Sequence, residues 1–96
     1  MTIRELLLAE RENIPWIAAT HGARNARVFG SVARGDASES SDLDLLADLE
    51  EGRSLPDHAA LLLELKELLG REVDVVTSRG LRPRIRERVM AEAIPL

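Results

Sequence analysis

Three stretches of the chain repeat apolar residues at helical spacing, and three shorter ones alternate or cluster them as strands do. Thr2 and Glu5 form a capping box ahead of the first helical stretch, and Gly22 after His21 is a stop signal, which predicts a mostly helical segment over 3–21 that Pro15 kinks or splits. Residues 26–30, ARVFG, read as a short strand ending at glycine. In DLDLLADL, residues 42–49, Leu43, Leu45, Ala47 and Leu49 fall on one face and Asp42, Asp44, Leu46 and Asp48 on the other, so a half-buried strand is expected. Ser54 and Asp57 then bracket a second capping box, after which Leu61, Leu62, Leu65, Leu68 and Leu69 mark the face of a helix that stops at Gly70. EVDVV, residues 72–76, gives a third strand. Pro83 suits a first helical turn, and Ile85, Val89 and Ala93 run at i, i+4, i+8 until Pro95. The expected order is α-β-β-α-β-α: an α/β (α+β) domain with a small mixed sheet and helices packed mainly on one face.

Composition narrows this without changing it. With 96 residues, 45% hydrophobic and 31% charged, the chain fits one globular domain over 1–96 and neither a disordered nor a low-complexity class. The absence of cysteine removes disulfides, thiolate metal sites and a cysteine nucleophile. The N-terminal residues carry early acids and only a three-leucine apolar run, so neither a signal peptide nor a membrane anchor is expected, and a cytoplasmic location is. A net charge of −4 and only two aromatics, Trp16 and Phe29, argue against direct nucleic-acid binding. Arg82, Arg84, Arg86 and Arg88 crowd the start of the last helix and read as a solvated face, only partly offset by Glu87 and Glu92. Trp16 reads as a core anchor, and His21 and His58, with no second histidine at ligand spacing, as surface residues. No Ser-His-Asp order or P-loop pattern is present.

Candidate chemistry gathers where the strands end. Gly30-Ser31 follows the first strand; glycine lets backbone N–H groups approach a phosphate, and serine adds a hydroxyl donor, although the same pair also makes an ordinary turn. Arg34, in the same loop, is open to two readings, a grip on a triphosphate or a solvated side chain. Asp42 and Asp44 stand at i and i+2 of one strand, roughly 6.6 Å apart along it, where two carboxylates can share Mg²⁺ with water and substrate phosphates. Asp74 lies among valines, and burial there would call for a nearby cation.

These residues carry a resemblance. GSVARGDASESSDLDLL, residues 30–46, resembles the signature of the DNA polymerase beta-like nucleotidyltransferase superfamily, in which Gly-Ser is followed about ten residues later by Asp-x-Asp. The whole chain, through the REVDVVTSRGLRPRIRERVMAEA tail, is similar to the minimal nucleotidyltransferases, the MNT or MntA-type antitoxins. The resemblance implies the polymerase beta-like nucleotidyltransferase fold and transfer of AMP from ATP to an acceptor hydroxyl with two Mg²⁺ ions. Carried over by position, Gly30 and Ser31 would hold the β and γ phosphates, Asp42 and Asp44 would bind both metals, and Asp74 would complete the acceptor-side metal site. It further implies a HEPN-domain toxin, a ribonuclease, as partner and acceptor, neutralised by AMPylation of a tyrosine, by binding, or by both. The alternative is a non-catalytic antitoxin or nucleotide-binding regulator that inhibits its partner stoichiometrically.

Overall fold

The structure is a computed structural model that describes residues 2–38 and 41–96; Met1, and Glu39 and Ser40 of the quoted signature, lie outside the described residues. The Thr2 hydroxyl accepts the Glu5 N–H at 3.1 Å and Glu5 accepts the Thr2 N–H at 3.2 Å, which starts α1 at Ile3–Ala9. The helical segment over 3–21 is split, and the break falls at residues 10–12, ahead of Pro15 rather than at it. α2, Asn13–Thr20, begins two residues before Pro15, so the proline falls in a first turn, where its missing N–H breaks no hydrogen bond within α2. Ile14 and Ile17 of α2 are buried, whereas Trp16 is 68% exposed on its far side. The core-anchor reading of Trp16 is therefore wrong: at i+2 from Ile14 it sits well round the helix from the buried stripe.

β1, Ala23–Phe29, starts earlier than expected because a bulge between Arg24 and Arg27, with Asn25 at φ 58°, lets the polar ARN segment join the strand. Gly30 is not its last residue. It opens a five-residue helix, α3, Gly30–Arg34, which sequence periodicity was too short to reveal. β2, Leu43–Leu49, pairs antiparallel with β1; α4, Leu55–Leu69, then carries the chain to β3, Val73–Thr77, which pairs parallel with β2, as a helical crossover permits. α5, Pro83–Glu92, leads into β4, the two-residue Ile94–Pro95, whose partner is β1. The sheet order is β3-β2-β1-β4, mixed as expected, with β2 between two long neighbours.

The main core lies on one face, where Leu43, Leu45, Ala47, Val73 and Val75 meet Ile3 and Leu7 of α1, Ile14 and Ile17 of α2, and Leu61, Leu65 and Leu69 of α4. Each of these leucines contributes roughly 1.5–3 kcal/mol by leaving water. α5 takes the other face. Its Val89 packs with Leu81 on Leu46, which alternation alone had grouped with the outward aspartates and which is fully buried. Ile85, the first residue of the α5 stripe, stays partly exposed. Among the described residues no helix is long and apolar enough to cross a membrane.

Candidate functional site

Strand register builds the site. Phe29 of β1 stands opposite Asp44 of β2, and Asp44 opposite Asp74 of β3, so one row crosses the sheet where β1 gives way to α3. Phe29 is fully extended, and the chain then turns through Gly30 at φ +74° into α3. That turn brings the backbone over the Asp44 side chain. A Cβ at position 30 would collide with Asp44 Oδ2 and lie 3.3 Å from its Cγ, so glycine is required both by its φ and by the carboxylate beneath it.

Asp44 is half-buried, and its carboxyl is held above the usual carboxylate range, first by burial and then by the negative charges of Asp74 and Asp42. Arg34 acts in the opposite sense and Glu92 adds to the rise. Asp42, just ahead of β2, is exposed, and so is Asp74. The argument that burial among valines obliges Asp74 to seek a cation therefore fails, since strand alternation turns it away from Val73 and Val75 and outward. Its in-register place beside Asp44 is what joins it to the site.

The Arg34 guanidinium donates to both oxygens of Glu92 at 3.3 Å and to Asp36 at 3.3 Å, and these bonds hold it more firmly protonated than an isolated arginine. Glu92, from the last turn of α5, also accepts the Gly30 N–H at 3.0 Å. In the sequence Glu92 stands out only as a partial offset to the arginines of the last helix. The available signal was its spacing: three residues after Val89, it falls on the buried side of an amphipathic helix. His21 pairs with Glu64, and His58 Nε2 lies 2.8 Å from the Val75 carbonyl oxygen, so both are half-buried structural partners away from this row, not free surface side chains.

The donors suit a hard cation, since Asp42, Asp44 and Asp74 bring carboxylate oxygens of like charge to one end of the sheet. Among the described residues no three His, Asp or Glu side chains stand together as a ready metal cage. Mg²⁺ does not demand one, because it commonly binds one or two carboxylates and completes its shell with water and phosphate oxygens. Asp44 with Asp74 or with Asp42 meets that requirement. An apolar cleft of about 290 Å³ between α1 and the β1–β4 edge, lined among others by Leu7, Leu8, Val32 and Ile94, is separate from the row and contains none of the three aspartates.

The family model described as a nucleotidyltransferase domain matches residues 19–96, which takes in every site residue named above. The chain is 43% identical over 94 residues to MJ0435 of Methanocaldococcus jannaschii, named provisionally as a protein adenylyltransferase, with 98% of this chain and 97% of that one covered. A solved structure named provisionally as a minimal nucleotidyltransferase is 61% identical and superposes with a TM-score of 0.88 over 96% of this chain and 94% of its own. A toxin-antitoxin crystal structure with AMP-PNP shares the fold at 24% identity, with a TM-score of 0.66 over 97% of this chain and 68% of its own.

Proposed function

Given that this chain belongs to the nucleotidyltransferase domain family, we propose that it transfers AMP from ATP to a hydroxyl of a protein acceptor in a Mg²⁺-dependent reaction, and that the acceptor is a HEPN-domain toxin to which it is the antitoxin. The observation that carries the reading is the row in which Gly30 covers Asp44 and Asp44 stands in register with Asp74. Support for the acceptor class comes from the adenylyltransferase name of the 43% identical relative, and for the partner from the toxin-antitoxin structure of the same fold.

In this reading Gly30, lacking a side chain, lets its N–H meet a terminal phosphate oxygen, and Ser31 adds a hydroxyl beside it. Arg34, on the next turn of α3, offers a fork of donors to the same phosphates. Asp42, Asp44 and Asp74 would hold Mg²⁺, which when bound offsets the charge on the attacking and leaving oxygens. Asp74, exposed at the outer strand of the row, faces where an acceptor can approach and can receive the proton of its hydroxyl. The protein's contribution is positioning and charge, as for phosphoryl transfer generally.

The test is incubation with labelled ATP, Mg²⁺ and the co-expressed HEPN partner. Covalent label on the partner, lost in Asp42→Asn and Asp44→Asn, is the expected result. Inhibition of the partner without label would replace transfer by stoichiometric binding, and separate elution on size exclusion at micromolar concentration with no rescue from toxicity would remove the antitoxin role.

A further inference from the structure

Glu92 sits in the place where the proposed reading puts a phosphate. Its side chain is only 18% exposed, and its partners are the Gly30 N–H at 3.0 Å and the Arg34 guanidinium at 3.3 Å through both oxygens. These are two of the donors assigned above to the nucleotide. We propose that Glu92 is an internal stand-in for the terminal phosphates of a nucleoside triphosphate, which the nucleotide must displace, so that this carboxylate sets the affinity of the site. The inference rests on the nucleotide-site reading of Gly30 and Arg34.

Carboxylate and phosphate oxygens accept from the same N–H donors, so one seat serves either but not both. Charge makes the exclusion stronger. Asp42, Asp44 and Asp74 already crowd this end of the sheet with negative charge, Glu92 adds to the field at Asp44, and a triphosphate brings more. A carboxylate left beside it would lose its donors and face its repulsion. Glu92 ends α5 and is long enough to swing into solvent from there, leaving Gly30 and Arg34 free. Occupation of the seat before binding weakens apparent affinity by the fraction of time the seat is open, so a seat closed about nine-tenths of the time costs about tenfold.

Isothermal titration of the full chain with ATP, pyrophosphate and adenosine reads this directly. Glu92→Gln, which keeps the shape and removes the charge, and Glu92→Ala, which removes the acceptor as well, should each bind ATP and pyrophosphate about tenfold more tightly than the wild type, with adenosine unchanged. Glu87→Gln, the same charge change at an exposed position of the same helix, should bind all three as the wild type does. Equal or weaker ATP binding by both Glu92 variants, or equal tightening toward adenosine, would overturn the proposal. A purely structural tie between α5 and α3 would lower the melting temperature and leave the ATP affinity where it was. ATP binding by the wild type with no gain in the variants sinks this inference and leaves the nucleotide site standing; binding of neither anion by any variant sinks both.

Discussion

Replacing Gly30 by alanine separates two costs that the structure superimposes. The first is backbone: at φ +74° an L-residue pays about 1–2 kcal/mol. The second is contact, because the new Cβ meets Asp44 Oδ2 and the carboxylate must rotate away from its place, a distortion of order 0.5–1.5 kcal/mol for an off-rotamer side chain. Gly35 supplies the control, with φ +81° and nothing within 4 Å of a built Cβ. Urea unfolding should therefore show Gly35→Ala losing about 1–2 kcal/mol by the backbone cost alone and Gly30→Ala losing about 0.5–1.5 kcal/mol more for the displaced side chain. Introducing Gly30→Ala into Asp44→Ala should abolish the excess, since the nearest atom left is the Asp44 Cβ at 3.4 Å, an ordinary van der Waals distance. Transfer activity should fall further in Gly30→Ala than stability does, because the displaced group is one of the proposed metal ligands. The reasoning fails if Gly30→Ala costs no more than Gly35→Ala, or if its excess survives the loss of the Asp44 carboxylate.

Asp44→Asn removes a half-buried charge that Asp74 and Asp42 oppose, so the variant should melt no lower than the wild type in the absence of metal while losing transfer; a lower melting temperature would contradict the electrostatic account. Asp48 lies at the far end of the same face of β2, where the Ser78 hydroxyl first, and then Asn25 and Arg27, hold its carboxyl below the usual range against a smaller opposing effect of burial. A depressed folded value contributes stability above the unfolded pKa that is lost as pH falls through the folded one. The stability gap between wild type and Ser78→Ala should thus be full at pH 7 and shrink below about pH 4, and a gap that urea melts find constant from pH 7 to 3 would refute the assignment. Leu65→Ala, in the buried face of α4, should cost about 2–5 kcal/mol by denaturant melt, and a cost under about 1 kcal/mol would mean that α4 is not packed as described.

The elements legible in the sequence were those with a cap or a full period. Thr2 and Glu5, Ser54 and Asp57, Gly70 and Pro83 mark helix ends within a residue or two, because caps are local chemistry. The bulge at Asn25, the single-turn α3 and the two-residue β4 were not legible, since each depends on a partner strand rather than on its own pattern. The same division holds at the site. Gly30, Asp44 and Asp74 stood out by residue type and place on their strands, but that they share one row follows from register, which crosses from one segment to another. Trp16 misled because size and apolarity say that a side chain gains by burial, not which way its helix faces. Glu92 is hidden in the sequence because its charge blends into an arginine-rich helix, and only its helix phase relative to Val89 separates it from the solvated face.

The row on the sheet also has a consequence for how the domain folds. Gly30, Asp44, Asp74 and Glu92 belong to four elements, and no single stretch of chain holds more than one strand of the sheet with its neighbour's carboxylate. The β1–β2 pairing closes a short loop, whereas the parallel β2–β3 pairing spans the whole of α4, and the face on which α5 packs exists only where β1, β2 and β3 lie side by side. Until α5 arrives, Leu46, Phe29 and Val76 form an apolar face open to water. The carboxylate that closes the Gly30 turn is thus carried in by the same helix that seals this second face, so the anion seat and the last hydrophobic layer are completed in one step.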